Sequence, residues 1–467
     1  MSSESRRVLL LLPHLEVGGA DKFNLDLAQQ LARRGWRLTI ALTLPGAHPW
    51  RAHFEAVTPD IVPLHPRVAP AKQSIFLRDL VGSRGIDTII VSHSEAGYAL
   101  LPYLRLHSPG LAVLDYLHIE ELHWRDGGYP RLSLDAAHWL DMSVVSSEHL
   151  RGWMLARGAD PARVAVCTTN IDTVEWDPAQ FDRGVLRRDL GVAPDESLVL
   201  YPARLVPQKQ PRLLADVARE LARRRLRFTL LVAGDGPDRG WLESFVRSEG
   251  LAGQVRLLGA VGVERVRELM AAADIFLLPS QHEGISLALY EAMAMGLASV
   301  AADVGGQREL LIPECGVLVG RGPGERQAYV AALERLLSES ELRARMGAMA
   351  RRRVADHFRL DQMGERMAVL VGQAHVLAST SPRTASEEEA AAGVAQAVAL
   401  ARELERARRL WGYDGAERPG SGVLVLRALK RALQPAYRWA LARDQRVIRL
   451  AVGARNALVR LLYRGQD

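Results

Sequence analysis

The stretch IFLLPSQHEGISLALYEAMAMG, residues 275–296, reads as a β-strand, a loop and a helix in direct succession. Ile275–Pro279 is an apolar run of strand length that ends on proline. A polar segment with Gly284 follows, and an apolar helical pattern then runs to the stop at Gly296. On its upstream side the same alternation recurs. Leu198–Ala203 is a strand, Arg212–Arg223 a helix, Phe228–Ala233 a strand, Trp241–Glu249 a helix and Val255–Leu258 a strand. Ser299–Ala302 and Val317–Val319 add strands downstream, and helical segments from Gln327 close the series. Alternation of this kind builds a parallel sheet covered by helices.

The first part of the chain repeats the pattern. Arg7–Leu12 is a strand, and a loop through Gly18 and Gly19 leads into a helix with Phe23, Leu27 and Leu31 on one face. Gly35 stops that helix, and Arg37–Leu42 is the next strand. Thr88–Ser92, Ala112–Leu117, Met142–Ser146 and Val164–Cys167 continue the series, which breaks at a linker-like stretch from Asp172 to Asp195. The sequence therefore predicts an α/β protein with two doubly wound, Rossmann-like domains in tandem. Their bounds are 1–180 and 181–377, and residues 378–467 form a linker and a helical C-terminal extension.

Bulk properties narrow the function classes. The 467 residues are 48% apolar and 24% charged, a globular composition. Two distant cysteines, Cys167 and Cys315, give neither a disulfide framework nor a zinc site, and point to a reducing compartment. The apolar run Val8–Leu12 is too short for a signal peptide, and no stretch approaches a membrane span. A cytoplasmic protein is expected. Of the net charge of +6, residues 421–467 carry +8, with ten Lys/Arg against Asp444 and Asp467, so the body is close to neutral. That distribution gives no support to a nucleic-acid partner.

The loop and helix after Pro279 carry the chemistry. Amides at a helix start are unpaired and favour phosphate, and Gly284 permits close approach of a ligand. Glu283 and Glu291 are eight residues apart, about 12 Å if the interval were all helical. That is the scale of a sugar, a diphosphate and a ribose in line. Arg204 and Lys209 follow the strand Leu198–Ala203, where a parallel sheet places its ligand crevice, and can neutralise a diphosphate there. The turn Gly234–Pro237 ends another strand and either borders that crevice or is a structural turn.

Together these residues resemble the donor domain of retaining glycosyltransferases of family 4 (glycosyl transferases group 1), which have the two-domain GT-B fold. The carriers are R-x4-K at Arg204/Lys209, G-D-G-P at Gly234–Pro237, A-D-I-F-L-L-P-S at Ala273–Ser280 and E-x7-E at Glu283/Glu291. The resemblance spans roughly residues 7 to 375 and is fainter in the first half. It implies that Arg204 and Lys209 bind the donor diphosphate. Glu283 would contact the transferred sugar, the backbone of Gly284, Ile285, Ser286 and Leu287 the phosphates, and Glu291 the ribose. Gly18 and Gly19 match the family's glycine pair, and His118 ends a strand as the family's histidine does. One departure is Thr169–Asp172, which lacks the glycine that many relatives have near the hinge.

The resemblance implies a retaining transfer by front-face displacement. No D-x-D motif is present, so no metal or other cofactor is expected, and cations with helix amides take the metal's place. The partners expected are a nucleotide sugar and a glycan or lipid-linked acceptor, in cell-surface polysaccharide or glycoconjugate synthesis. Acceptor recognition falls to the first domain, where His14, Glu16, His93, Trp124, Arg125 and Tyr129 lie near strand ends. Arg438, Arg449 and Arg460 share one face of a basic C-terminal helix that suits a peripheral membrane contact, or packing on protein. A sugar-nucleotide epimerase and a non-catalytic scaffold are the competing readings. A dinucleotide oxidoreductase is disfavoured because residues 17–20 are not G-x-G-x-x-G.

Overall fold

A computed structural model describes residues 6–411, apart from 66, 122, 123 and 194, with side chains described as far as 403. The basic segment 421–467, with its expected amphipathic helix, lies outside the described residues. Contacts divide the chain into two compact units, Met1–Ala397 and Val398–Asp467. The first unit holds two lobes. Of the second, only the last turns of the helix Glu387–Trp411 are described.

The first lobe is built on seven parallel strands: β1 (Arg7–Leu12), β2 (Arg37–Leu42), β3 (Ile61–Pro63), β4 (Thr88–Ser92), β5 (Ala112–Leu117), β6 (Met142–Val145) and β7 (Val164–Val166). Their order is β3-β2-β1-β4-β5-β6-β7. The second lobe has six: β8 (Ser197–Tyr201), β9 (Phe228–Ala233), β10 (Val255–Gly259), β11 (Ile275–Leu278), β12 (Ala298–Ala302) and β13 (Gly316–Val319), in the order β10-β9-β8-β11-β12-β13. Each sheet therefore reverses direction once, between β1 and β4 and between β8 and β11. Such switch points open the crevice in which doubly wound proteins bind ligands.

Strand β1 shows how the sequence sets the two layers. Val8, Leu10 and Leu12 point to one face and join Phe23, Leu27 and Leu31 of the helix Gly19–Arg33. Leu9 and Leu11 point to the other and join Val91, Leu100 and Leu104. Both faces are apolar because helices cover both. Strand β3 was not foreseen from the sequence. It sits at the sheet edge, where Pro63 need not donate to a further neighbour.

The course of the chain between the lobes differs from the expected boundaries. Residues 358–360 cross back, and the helix Leu360–Thr380, which by position was counted with 181–377, buries Met363, Met367, Leu370 and Val371 in the first lobe's core. Apolar periodicity identifies such a helix but not the sheet that it covers. At the crossing, Asn170 adopts a left-handed backbone (φ 60°), and its side-chain amide donates to the Arg359 carbonyl at 2.8 Å. Asparagine tolerates that conformation, so the chain turns here without the glycine found in many relatives. Cys167 and Cys315 are both free and buried. No helix among the described residues is long and apolar enough to cross a membrane.

Candidate active site

The loops at the carboxyl ends of the two sheets meet each other. Strand β8 leads into the loop that carries Arg204 and Lys209, and β11 leads into the loop that carries Glu283, one on each side of the second lobe's switch point. Lys209 Nζ is hydrogen-bonded to Glu283 Oε1, with the two side chains 15% and 10% exposed. Backbone and amide bonds fix both loops. Gln281 N–H donates to Gln208 O (2.7 Å), Gln208 Nε2 to His282 O (3.1 Å) and Gln210 Nε2 to Pro279 O (2.6 Å). The Tyr201 hydroxyl donates to Lys209 O at 2.8 Å. The pair is thus held on three sides before any ligand arrives. Arg204 is exposed and has no ion-pair partner among the described residues.

The turn after β9 supports this loop from behind. A Cβ at Gly234 would lie 2.0 Å from Ala203 O, and one at Gly236 would lie 2.5 Å from Leu205 O. Leu205 N–H donates to Asp235 O, and Asp238 N–H to Leu205 O. Gly234 therefore serves the fold by letting two backbones touch, and it positions the Arg204 loop through them.

Two expectations about the segment from Glu283 to Glu291 are corrected. The helix begins only at Leu287, with Ser286 as its flanking residue, so half of the interval is loop and the all-helical 12 Å span does not apply. The space beside Gly284 is filled by protein. A Cβ there would lie 2.1 Å from His118 O, which makes Gly284 the point where the donor loop rests on the first lobe. Ile285 is buried in the second lobe's core, so only its backbone is available to a ligand. Gly306 N–H donates to Gly284 O at 2.8 Å and holds the loop from the other side.

Gly18 and Gly19 are different. Both are exposed at the start of the helix Gly19–Arg33. A Cβ at Gly19 would meet only Leu287 Cβ, at 3.9 Å, and one at Gly18 only Asp21, at 3.5 Å. Packing does not demand glycine at either place. Two helix starts, at Gly19 and at Leu287, thus approach each other across the cleft, each with unpaired amides that attract an anion.

The Glu291 carboxylate accepts no hydrogen bond among the described residues, and burial pushes it up to about 8 despite the nearby Lys22. Lys22 Nζ contacts Asp26 Oδ1 at 2.6 Å and Glu175 Oε2 at 3.8 Å. Burial opposes the lysine's charge, but Asp26, Glu175 and Glu291 outweigh it and raise its pKa. Lys22, Asp26 and Glu175 were missed in the sequence. The Lys22/Asp26 spacing of four on one helix was the available signal, but such pairs are common on solvated faces.

On the first lobe, His118 follows β5. Phe23, Tyr116 and His93 surround its ring, with centroids 5.0, 4.8 and 4.8 Å away. Its Nε2 is buried and has no hydrogen-bond partner. Burial, with His93 adding to it, holds the imidazole well below its ordinary pKa, so it is neutral near pH 7. His93 has a left-handed backbone (φ 53°) and stacks on Tyr129 at 4.6 Å, and burial lowers its pKa to about 4. Among the described residues no three His, Cys, Asp or Glu side chains are grouped so as to hold a metal ion.

Comparison with known proteins bears on the family and the fold. The family model described as Glycosyl transferases group 1 matches residues 182–353, and that described as Glycosyltransferase Family 4 matches residues 17–175. A D-inositol 3-phosphate glycosyltransferase of Kineococcus radiotolerans is 28% identical over 75% of this chain and 92% of its own length. An alpha-D-kanosaminyltransferase of Streptomyces kanamyceticus is 32% identical, but over 40% of this chain and 48% of its own. Among solved structures, HepE of Anabaena in complex with UDP aligns with a TM-score of 0.68 at 19% identity, over 78% of this chain and 99% of its own. A sucrose-phosphate synthase of Thermosynechococcus elongatus aligns at 0.62 and 20%, over 79% and 98%. With two facing Rossmann-like lobes, each matched by its own family model, the chain is a family 4-type glycosyltransferase of the GT-B fold.

Proposed function

We propose that the protein transfers a sugar from a nucleotide diphosphate donor to an acceptor hydroxyl, with retention at the anomeric carbon and without a metal ion. The observation that carries this reading is the Lys209–Glu283 pair, set at the second lobe's switch point, with the unpartnered Arg204 on the same loop and His118 opposite. Arg204 and Lys209 bind the diphosphate and stabilise the charge that grows on it as the sugar leaves. The amides from Gly284 to Leu287 and those after Gly18 and Gly19 meet the phosphates from the two lobes, the task that D-x-D-bound metal performs elsewhere. Glu283 and His118 hold the sugar's hydroxyls, and Glu291 takes the ribose. The leaving phosphate oxygen accepts the acceptor's proton on the face from which it departs.

The printed name of one relative, a D-inositol 3-phosphate glycosyltransferase, supports a small cyclitol or sugar acceptor as the alternative to a cell-surface glycan or a lipid-linked one. A cytoplasmic site, with the basic residues beyond 421 against an anionic membrane, is the reading that the charge distribution favours. The test is incubation of the full chain with a panel of nucleotide sugars and acceptors, with and without EDTA, followed by NMR assignment of the product anomer. An α-linked product from an α-linked donor in EDTA is expected. Turnover that vanishes with the chelator overturns metal independence, and an inverted anomer overturns retention.

A further inference from the structure

The part of the first lobe beside His118 has a chemistry of its own. From His93 the aromatic contacts run outward. Tyr129 stacks on His93 at 4.6 Å, Trp124 meets Tyr129 edge-on at 4.9 Å, and the Arg125 guanidinium lies 5.7 Å from the Trp124 ring. The loop that carries these residues is closed by its own backbone. Glu121 N–H donates to Gly127 O (3.2 Å), Trp124 N–H to Glu121 O (3.0 Å) and Gly128 N–H to Trp124 O (2.8 Å). Arg125 and Asp126 both have left-handed backbones, at φ 50° and 51°, as does His48 at 50°. Non-glycine residues held this way mark places where the fold sets a side chain for a task.

The charges on this face are mostly acidic. Asp21 lies 3.5 Å from His14 Nδ1, and Glu95 pairs with Arg125. Arg125 therefore has a partner already, and His14, when protonated, has Asp21 beside it. The half-buried Glu121 forms no salt bridge among the described residues and burial raises its carboxyl, while Glu16 acts on His14. The charges that act on Tyr129 are Glu121, Glu95 and Arg125, and those that act on His93 are Asp21 and His14. Arg67 and Lys72, exposed after β3, are not among them. Among the described residues of this face a phosphate monoester would meet no unpaired arginine or lysine, and it would meet the carboxylate of Glu121. Flat rings bordered by carboxylates instead suit the apolar face and the hydroxyl or ammonium groups of a sugar or cyclitol.

We infer that the acceptor ring bound beside His118 carries no phosphate. It is a sugar or cyclitol with free hydroxyl or ammonium groups, laid on Trp124 and Tyr129 and hydrogen-bonded by Glu121 and Asp21. This inference rests on the glycosyltransferase reading of the same cleft, and it sets the chain apart from relatives named for inositol 3-phosphate.

The test uses the full chain saturated with whichever of UDP and GDP raises its melting temperature. Binding of myo-inositol and glucosamine is compared with that of myo-inositol 3-phosphate and glucosamine 6-phosphate by ligand-observed NMR titration. At least one unphosphorylated ring is expected to bind ten times or more tighter than its phosphate ester. Glu95→Gln releases Arg125 from its partner and is expected to narrow that ratio at least threefold, with nucleotide-dependent stabilisation retained. A phosphate ester that binds equally or better, no binding of any ring at 50 mM, or an unchanged ratio in Glu95→Gln overturns the inference. If neither nucleotide stabilises the chain, the donor assignment itself fails, a result that is read before any acceptor is added.

Discussion

The two lobes prepare their halves of the cleft in opposite ways. In the second lobe the Lys209–Glu283 pair is formed and braced before any ligand: Lys209 holds Glu283, Gln208 and Gln210 fasten the two loops, and Gly234 clamps the support behind them, while Arg204 on the same loop has no ion-pair partner among the described residues. On the first lobe the strand-end histidine is left open. His118 Nε2 lacks a partner, and His48, His93, Arg125 and Asp126 are held in left-handed conformations. A donor diphosphate is the same for every member of such a family and can be met by a fixed cradle. If the first lobe meets the acceptor, as proposed, His118 Nε2 is a polar atom that it still has to offer. Energy is stored on one side as preorganised charge and on the other as unsatisfied polarity.

Removing the fixed pair is expected to cost most. Glu283→Gln should lower turnover by about 10³-fold or more, near the upper range for loss of one preorganised polar group, measured as kcat with saturating donor. Lys209→Ala should match it and also lower stability by ~3 kcal/mol, because it strands a nearly buried carboxylate. If either variant keeps a tenth of wild-type turnover, the second lobe is not the preorganised side. On the first lobe, His118→Ala should lower kcat about 10²-fold and cost about 1–3 kcal/mol of stability, from the space left among Phe23, Tyr116 and His93 and not from a lost Nε2 hydrogen bond. The imidazole is neutral well below pH 7, so wild-type activity should show no inflection from this group between pH 6 and 8. An inflection that disappears in His118→Ala would contradict the buried, neutral histidine.

A pair of glycine substitutions sharpens the contrast at lower cost. Gly284→Ala drives a methyl into the His118 carbonyl and should destabilise the chain by about 1–3 kcal/mol, read as a drop in melting temperature without ligand. Gly19→Ala meets only an ordinary contact in the protein. It should leave the unliganded melting temperature nearly unchanged and weaken nucleotide binding instead. Equal behaviour of the two variants would mean that the glycines have one role between them.

How much of this was legible depended on the range of the interaction. The alternation of strands and helices is local, and β1, β4, β5, β9 and their neighbours fell where apolar runs placed them. Arg204, Lys209 and Glu283 were visible because they sit just after strands, and a parallel sheet gives strand ends a common destination. What could not be read was long-range. Nothing in residues 360–380 says that they cover the first lobe's sheet. Nor does Gly284 announce that its neighbour is a carbonyl more than 160 residues earlier, so its packing against the first lobe went unread. The conformations of His93 and Arg125 were likewise invisible, since arginine does not signal a positive φ and the enrichment of histidine there is too weak to single out one residue.

The smallest expected effect concerns Glu291, which stands where the lobes share a charge cluster. Its carboxyl titrates near 8, because burial and the neighbouring Glu175 and Asp26 outweigh the attraction of Lys22. In the unfolded chain it would ionise near the ordinary glutamate value, so between about 4.5 and 8 the folded state binds the extra proton. The linkage then has a definite sign. This group's contribution to stability falls as pH rises through that window, and is largest at its acid end. Nucleotide binding should run the other way. If Glu291 accepts hydrogen bonds from a ribose diol, the ionised carboxylate is the better acceptor, so binding expels the proton and affinity rises with pH until about 8. A several-fold gain in nucleotide affinity from pH 6 to 8, measured calorimetrically with proton release tracked in two buffers of different ionisation enthalpy, is the expected result. Glu291→Gln should flatten the profile at the level of the protonated wild type. A profile that stays steep in Glu291→Gln would move the titration to Asp26, whose carboxyl burial raises to about 6, and would place the proton on the first lobe's side of the cluster.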